Sequence, residues 1–273
     1  MNVTFYFMDS FFFLVILAGA LAGASTGLLG AYVVGMRMPF IGICISHAAM
    51  VGTIYSILLG VNPVWGPVIF SALSSMSLGM VRPGRTRIDA NVALAIFFNL
   101  MLGLTFLGIG LTHGSRSEVL GLLWGSLLFV KNSSVVVITI SGLVFAVFAA
   151  LFNKELKVLL FSRTIASATG VHESFVYCFF LALCGLILAV NLPLVGGLMI
   201  FSLITCPAAA AYQICKGHRS VIIMATVFGM ASAVIGFLVS YYLDLPTGAC
   251  IVIVSATIFA VSALYRTFRG QWN

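Results

Sequence analysis

Apolar residues in this chain come in runs of about 20, broken by short segments carrying proline, glycine or charge, the length at which a helix crosses the hydrocarbon of a bilayer. On that rule the pattern predicts spans near 10–35, 40–60, 64–81, 90–112, 133–152, 174–190, 195–215, 220–242 and 248–266. The expected fold is all-α: a polytopic integral membrane protein of about nine transmembrane helices, with eight the alternative count. The segment 117–130 is apolar but too short to span, and is expected to be a re-entrant or interfacial helix on the outer side. Three outer connections are brief and each holds a proline: Gly60 to Pro63, Asn191 to Pro193, and Asp244 to Gly248. Proline tends to end one helix and start the next. The longest inner connection runs from Asn153 to Ser174. Its middle, Ser162 to Gly170, reads as a short helix lying along the membrane and docking a partner, with a solvated loop as the alternative.

The basic residues orient this pattern. Alternate connections place Arg37, Arg82, Arg85, Arg87, Lys154, Lys157, Arg163, Lys216, Arg219, Arg266 and Arg269 on one side and only Arg116 and Lys131 on the other. Positive loops stay cytoplasmic. The N-terminus is therefore expected outside and the C-terminus inside the cytoplasmic (inner) membrane.

Composition agrees. Apolar residues make up 62% of 273, charged residues 7%, and the mean hydropathy is +1.21. A soluble domain carries roughly a quarter charged residues. The 27 glycines suit close helix packing and the 23 phenylalanines suit lipid contact. A net charge of +7 does not imply nucleic acid, because Lys and Arg stand singly at the ends of apolar runs rather than in an aromatic-laced patch. The first ten residues hold no Lys or Arg, so no cleavable signal peptide is expected. Six cysteines show no metal-knuckle spacing and read as small packing residues, Cys44 excepted. One membrane domain over 1–273 is expected, embedded in lipid.

Catalysis finds no support. The six acids, Asp9, Asp89, Glu118, Glu155, Glu173 and Asp244, all fall at helix ends or in loops, so no carboxylate pair sits in the membrane for a proton relay. There is no GxxxxGK[ST] phosphate loop, so the chain cannot hydrolyse ATP alone. His47 is the ionisable side chain placed deep inside a predicted span. It lies eight residues beyond Pro39, ~12 Å along the helix. An imidazole there needs a partner, a wet cavity or a passing cation. Cys44 and Met50 flank it at three residues on either side, and His, Cys and Met together suit a borderline or soft metal. The other reading is a hydrogen bond from His47 to a backbone carbonyl or to Asn99 of a neighbouring helix. Residues alone leave both open.

Several stretches, in order along the chain, resemble the ABC-3 family, the metal-type permeases of ABC importers for zinc, manganese and iron. They are Arg37 to Gly42 followed by Ile45 to Ala48; Arg85 to Ala90; Trp124 to Leu128; Thr169 to Val171; Val195 to Leu198 leading to Cys206 to Ala210; and Asp244 to Ala249. The resemblance implies a homodimer with a central pathway, two cytoplasmic ATPase subunits and an extracytoplasmic solute-binding protein. No cofactor is implied in this chain, since ATP binds the partner. It also implies that Ser162, Arg163, Thr164, Ile165, Ala166, Ser167, Ala168, Thr169, Gly170, Val171, His172 and Glu173 form the element that receives the ATPase. Of the metal positions, His47 carries over. Family members commonly place an acid four residues before this histidine, where this chain has Ile43. A second polar gating position falls near Phe97 to Asn99, without an acid or histidine. Three functions follow: a permease for a divalent transition metal ion, a permease of the same architecture for a metal chelate or small organic solute, or a non-transporting scaffold or sensor.

Overall fold

A computed structural model of the chain describes residues 2–62, 65–80, 90–112, 125, 130–161, 166, 173–197 and 199–270. Among the described residues all regular structure is helical, in ten helices. They are α1 (Asn2–Gly35), α2 (Phe40–Leu58), α3 (Trp65–Met80), α4 (Ala90–Leu111), α5 (Asn132–Leu151), α6 (Asn153–Phe161), α7 (Glu173–Val195), α8 (Ile200–Ile214), α9 (His218–Leu243) and α10 (Thr247–Gly270). Seven are long and apolar enough to cross a membrane: α1, α2, α4, α5, α7, α9 and α10. Each of the nine predicted runs falls on a helix, but α3 has 16 residues and α8 has 15. At 1.5 Å per residue these reach only ~22–24 Å, short of a ~30 Å hydrocarbon core.

α1 starts at Asn2, eight residues before the predicted run, and so takes in Asp9, expected at a helix end or in a loop; two further boundaries differ for identifiable reasons. α7 runs through Pro193 to Val195, so Asn191 is not in a connection. Proline removes the N–H that would donate to the Ala189 carbonyl, and the disturbance is confined to the last turn because the helix ends two residues later. Asn191 is fully buried and its Nδ2 donates to the Ile187 carbonyl (2.8 Å) and to Ser25 Oγ of α1 (3.3 Å). The connection after α5 is not extended at its start either: 153–161 forms α6, burying Leu156 and Leu159. Those two leucines, three apart, lie on one helix face. Of the surface helix expected over 162–170, only Ala166 is among the described residues, where it is helical and fully buried. The short apolar helix expected over 117–130 lies outside them, apart from Gly125 and Val130.

α1 is the axis of the bundle and packs on α5, α7, α8 and α9. Its contact with α9 is the most extensive of the fold. Glycine makes it so: a Cβ at Gly23 would overlap the Gly229 carbonyl, and one at Gly27 the Ala225 carbonyl. Small residues bring membrane helices into backbone contact, where dispersion replaces the hydrophobic drive that lipid does not supply. α2 is enclosed by α3, α4 and α7 and is largely buried, whereas few residues of α4, which packs chiefly on α2, are buried. The outer surface is a belt of apolar side chains, including Phe13, Ile69, Leu73, Leu143, Ile223 and Ile253. Hydroxyls inside the bundle bond to their own helices, as Thr26 does to Ala22 (2.7 Å) and Thr105 to Met101 (2.8 Å), so they need no water.

Candidate functional site

The site begins at the corner between α1 and α2. Arg37 takes a left-handed conformation (φ 58°), and the Met38 amide donates back to the Val33 carbonyl at 3.2 Å. The chain thus reverses in four residues, and Pro39 leads into α2. Two turns further on, His47 is fully buried. Its Nδ1 lies 3.0 Å from the Ile43 carbonyl one turn earlier. A carbonyl can only accept, so Nδ1 carries the hydrogen and Nε2 of the neutral ring keeps its lone pair. Nε2 is buried and has no hydrogen-bond partner. Ile43 therefore orients the histidine through its backbone while its side chain adds no carboxylate. The hydrogen bond runs to this carbonyl rather than to Asn99.

The imidazole meets α4 at Phe98, whose ring stands edge-on to it at 4.9 Å between centroids and 82° between planes. Cys44 faces the same helix, its Sγ donating to the Leu94 carbonyl at 3.1 Å. Leu94 and Phe98 are one turn apart, so Cys44 and His47 address a single stripe of α4. Met50 turns elsewhere: it packs with Ala189 and Leu192 of α7 and lies under Gly197. Asn99 is exposed. With Gly103, Phe106 and Gly110 it makes an exposed stripe along α4, and the space around Gly103 and Gly110 is open. Among the described residues no group of three or more His, Cys, Asp or Glu comes together.

The second region singled out in the sequence, Ser162 to Glu173, lies outside the described residues except Ala166 and Glu173, the latter the first residue of α7. Arg85 to Asp89 is also outside. From Trp124 to Leu128 only Gly125 is described. Its φ of +66° and its contact with the backbone of Val195 and Gly196 both require glycine. Sequence reasoning missed Phe98 as the cover of His47. Only its place in the stretch 97–99 pointed there, and which residue of an apolar helix meets a given ring depends on packing between helices.

The comparisons with known proteins fit this arrangement. The model of the ABC 3 transport family matches residues 8–266. The chain belongs to the ABC-3 family. Among its ABC-3 relatives, the "Manganese transport system membrane protein MntC" of Listeria monocytogenes is 28% identical, covering 96% of this chain and 92% of that one. The "High-affinity zinc uptake system membrane protein ZnuB" of Haemophilus influenzae is 26% identical over 95% of this chain and 99% of its own length. A solved structure, "PsaBC from Streptococcus pneumoniae in complex with Fab", superposes with a TM-score of 0.81 at 25% identity, over 92% of this chain and 90% of that one. This ABC-3 chain is thus a multi-pass membrane subunit of a transport system, and the match takes in α2, His47 and α4 together.

Proposed function

We propose that this chain is the permease of an ABC importer that moves a divalent transition metal ion (zinc, manganese or iron) across the cytoplasmic membrane, with His47 on the path. The observation that carries the reading is the buried, unpartnered Nε2 of His47, held in its ligating tautomer by the Ile43 carbonyl. Anchoring one ring nitrogen so that the other can bind is how metal-ligating histidines are oriented. The names of the manganese and zinc relatives support a metal as cargo. The chain works as one permease domain with nine spans, α3 and α8 crossing as short helices shielded by their neighbours, the N-terminus outside and the C-terminus inside.

One imidazole is a weak site for a divalent ion, which takes several ligands. A second copy supplies a second His47. The stripe of Asn99, Gly103, Phe106 and Gly110 on α4 supports a homodimer, since an exposed amide is costly against lipid and glycines admit a close neighbour. Two cytoplasmic ATPase subunits dock on the region from Ser162 to Glu173 and hold the ATP, and an extracytoplasmic protein delivers the ion. Transport passes the ion to the two imidazoles after Phe98 moves off their rings. Cys44, Met50 and Asn99 are secondary candidates for contact with the ion.

Reconstitution in liposomes with the ATPase and binding-protein subunits tests this. ATP-dependent uptake of manganese, zinc or iron is expected. Absence of uptake of all three with the full assembly present would sink the metal reading. Uptake competed by an organic solute and indifferent to His47→Ala would point to a different cargo.

A further inference from the structure

At the membrane edge, away from His47, α6, α8 and α9 enclose a cleft of about 310 Å³ beneath the end of α1. Lys157 of α6, Lys216 in the α8–α9 connection and His218 at the first position of α9 all line it. Among the described residues that line it none is a carboxylate. Two ammonium groups sharing a cleft repel each other, and an anion between them removes that cost. The cleft offers more than charge. α9 begins after Gly217, which has no side chain to cap it, so the first-turn N–H groups are open to an acceptor at the positive end of a 26-residue helix. Beside it, Nε2 of His218 is buried and has no hydrogen-bond partner.

The remaining wall is apolar. Leu160 and Phe161 of α6 and Val221 of α9 line the cleft beside the lysines, and Phe161 is 87% exposed. A free phosphate uses only the cationic end of such a place. A phospholipid uses both, its phosphate between the lysines and its acyl chains along Leu160, Phe161 and the apolar belt. We infer that this cleft binds the headgroup of an anionic phospholipid. It thereby ties α6, the element just before the segment that receives the ATPase, to the start of α9. The inference does not depend on what the permease carries.

The test uses the purified full-length chain, equilibrated in mixed phosphatidylcholine and phosphatidylglycerol, then stripped by detergent exchange. Retained lipid is counted by native mass spectrometry. Wild-type protein is expected to keep phosphatidylglycerol in clear excess over its share of the mixture. A lysine beside an anionic lipid surface is worth roughly fivefold, so K157Q/K216Q should lower that enrichment by about tenfold or more. K157R/K216R should keep it. K216Q alone, in an exposed connection, provides a variant whose folding is not at issue and should lower enrichment by about fivefold. Equal enrichment in K216Q and wild type overturns the inference. Displacement of the lipid by millimolar inorganic phosphate overturns the lipid assignment in favour of a free-anion site. Unchanged lipid retention with weakened co-purification of the ATPase would make the cleft a protein-docking surface and overturn it as well.

Discussion

Two seams of this bundle are built on opposite plans. Where α1 meets α9, Gly23 and Gly27 face Gly229 and Ala225 with backbones in contact and no room for a side-chain carbon. Where α2 meets α4, the contact is made by large side chains: His47 against Phe98, Cys44 against the Leu94 carbonyl, and Ile54 against Gly108. The first seam has one arrangement, because glycines cannot repack. The second is covered on one side only, since α4 leans on α2 and turns most of its surface outward. Side chains there can change rotamer without separating the helices. A transporter needs both, a fixed frame and a neighbour free to move, and here they are assigned to different helix pairs.

The contrast can be attacked from its strongest point downward. Gly229→Leu inserts a side chain into the backbone of α1 and should destabilise the fold by about 3 kcal/mol or more. Thermal unfolding in detergent and yield of monodisperse protein report it, and a wild-type Tm would mean the seam is looser than described. His47→Ala should leave Tm within a few degrees yet cut metal uptake at least about tenfold, the loss typical when a ligand shell is disturbed. Uptake at wild-type rate would remove His47 from the path. Phe98→Ala gives up an edge-on ring contact worth ~0.5–1.5 kcal/mol and opens the imidazole. Diethylpyrocarbonate should then modify His47 faster than in the parent; an unchanged rate would show that something other than Phe98 covers the ring. Cys44→Ala loses a single thiol hydrogen bond to Leu94, and a Tm change corresponding to under about 1 kcal/mol is expected. A larger drop would make α4 less free than the comparison holds.

Much of the frame was legible before any coordinates, because lipid simplifies the code. A run such as Val92 to Leu111 has to be a helix, as no other single segment satisfies its own backbone in hydrocarbon. His47 stood out for the same reason, but residues alone left its partner open between a backbone carbonyl, Asn99 and a metal, and the structure places the Ile43 carbonyl there. Local signals failed where tertiary packing outweighed them. Pro193 reads as a stop, yet α7 carries it because Asn191, one turn from α7's end, is held by Ser25 of α1. Leu156 and Leu159 carried a helical signal that the neighbouring charges of Lys154, Glu155 and Lys157 obscured. That Phe98 rather than Phe97 or Asn99 lies over the imidazole depends on the rotation of α4 about its own axis, which no periodicity in a uniformly apolar helix records.

The glycine seam also bears on how the molecule is made. Gly23 precedes Gly229 by 206 residues in the chain, so the most extensive helix contact of the fold cannot close until α9 has been made. Until α9 arrives, the small-residue side of α1 at Gly23 and Gly27 has no partner for its backbone. A chain cut short anywhere before α9 never covers that side. The seam therefore closes only in a chain that has reached α9.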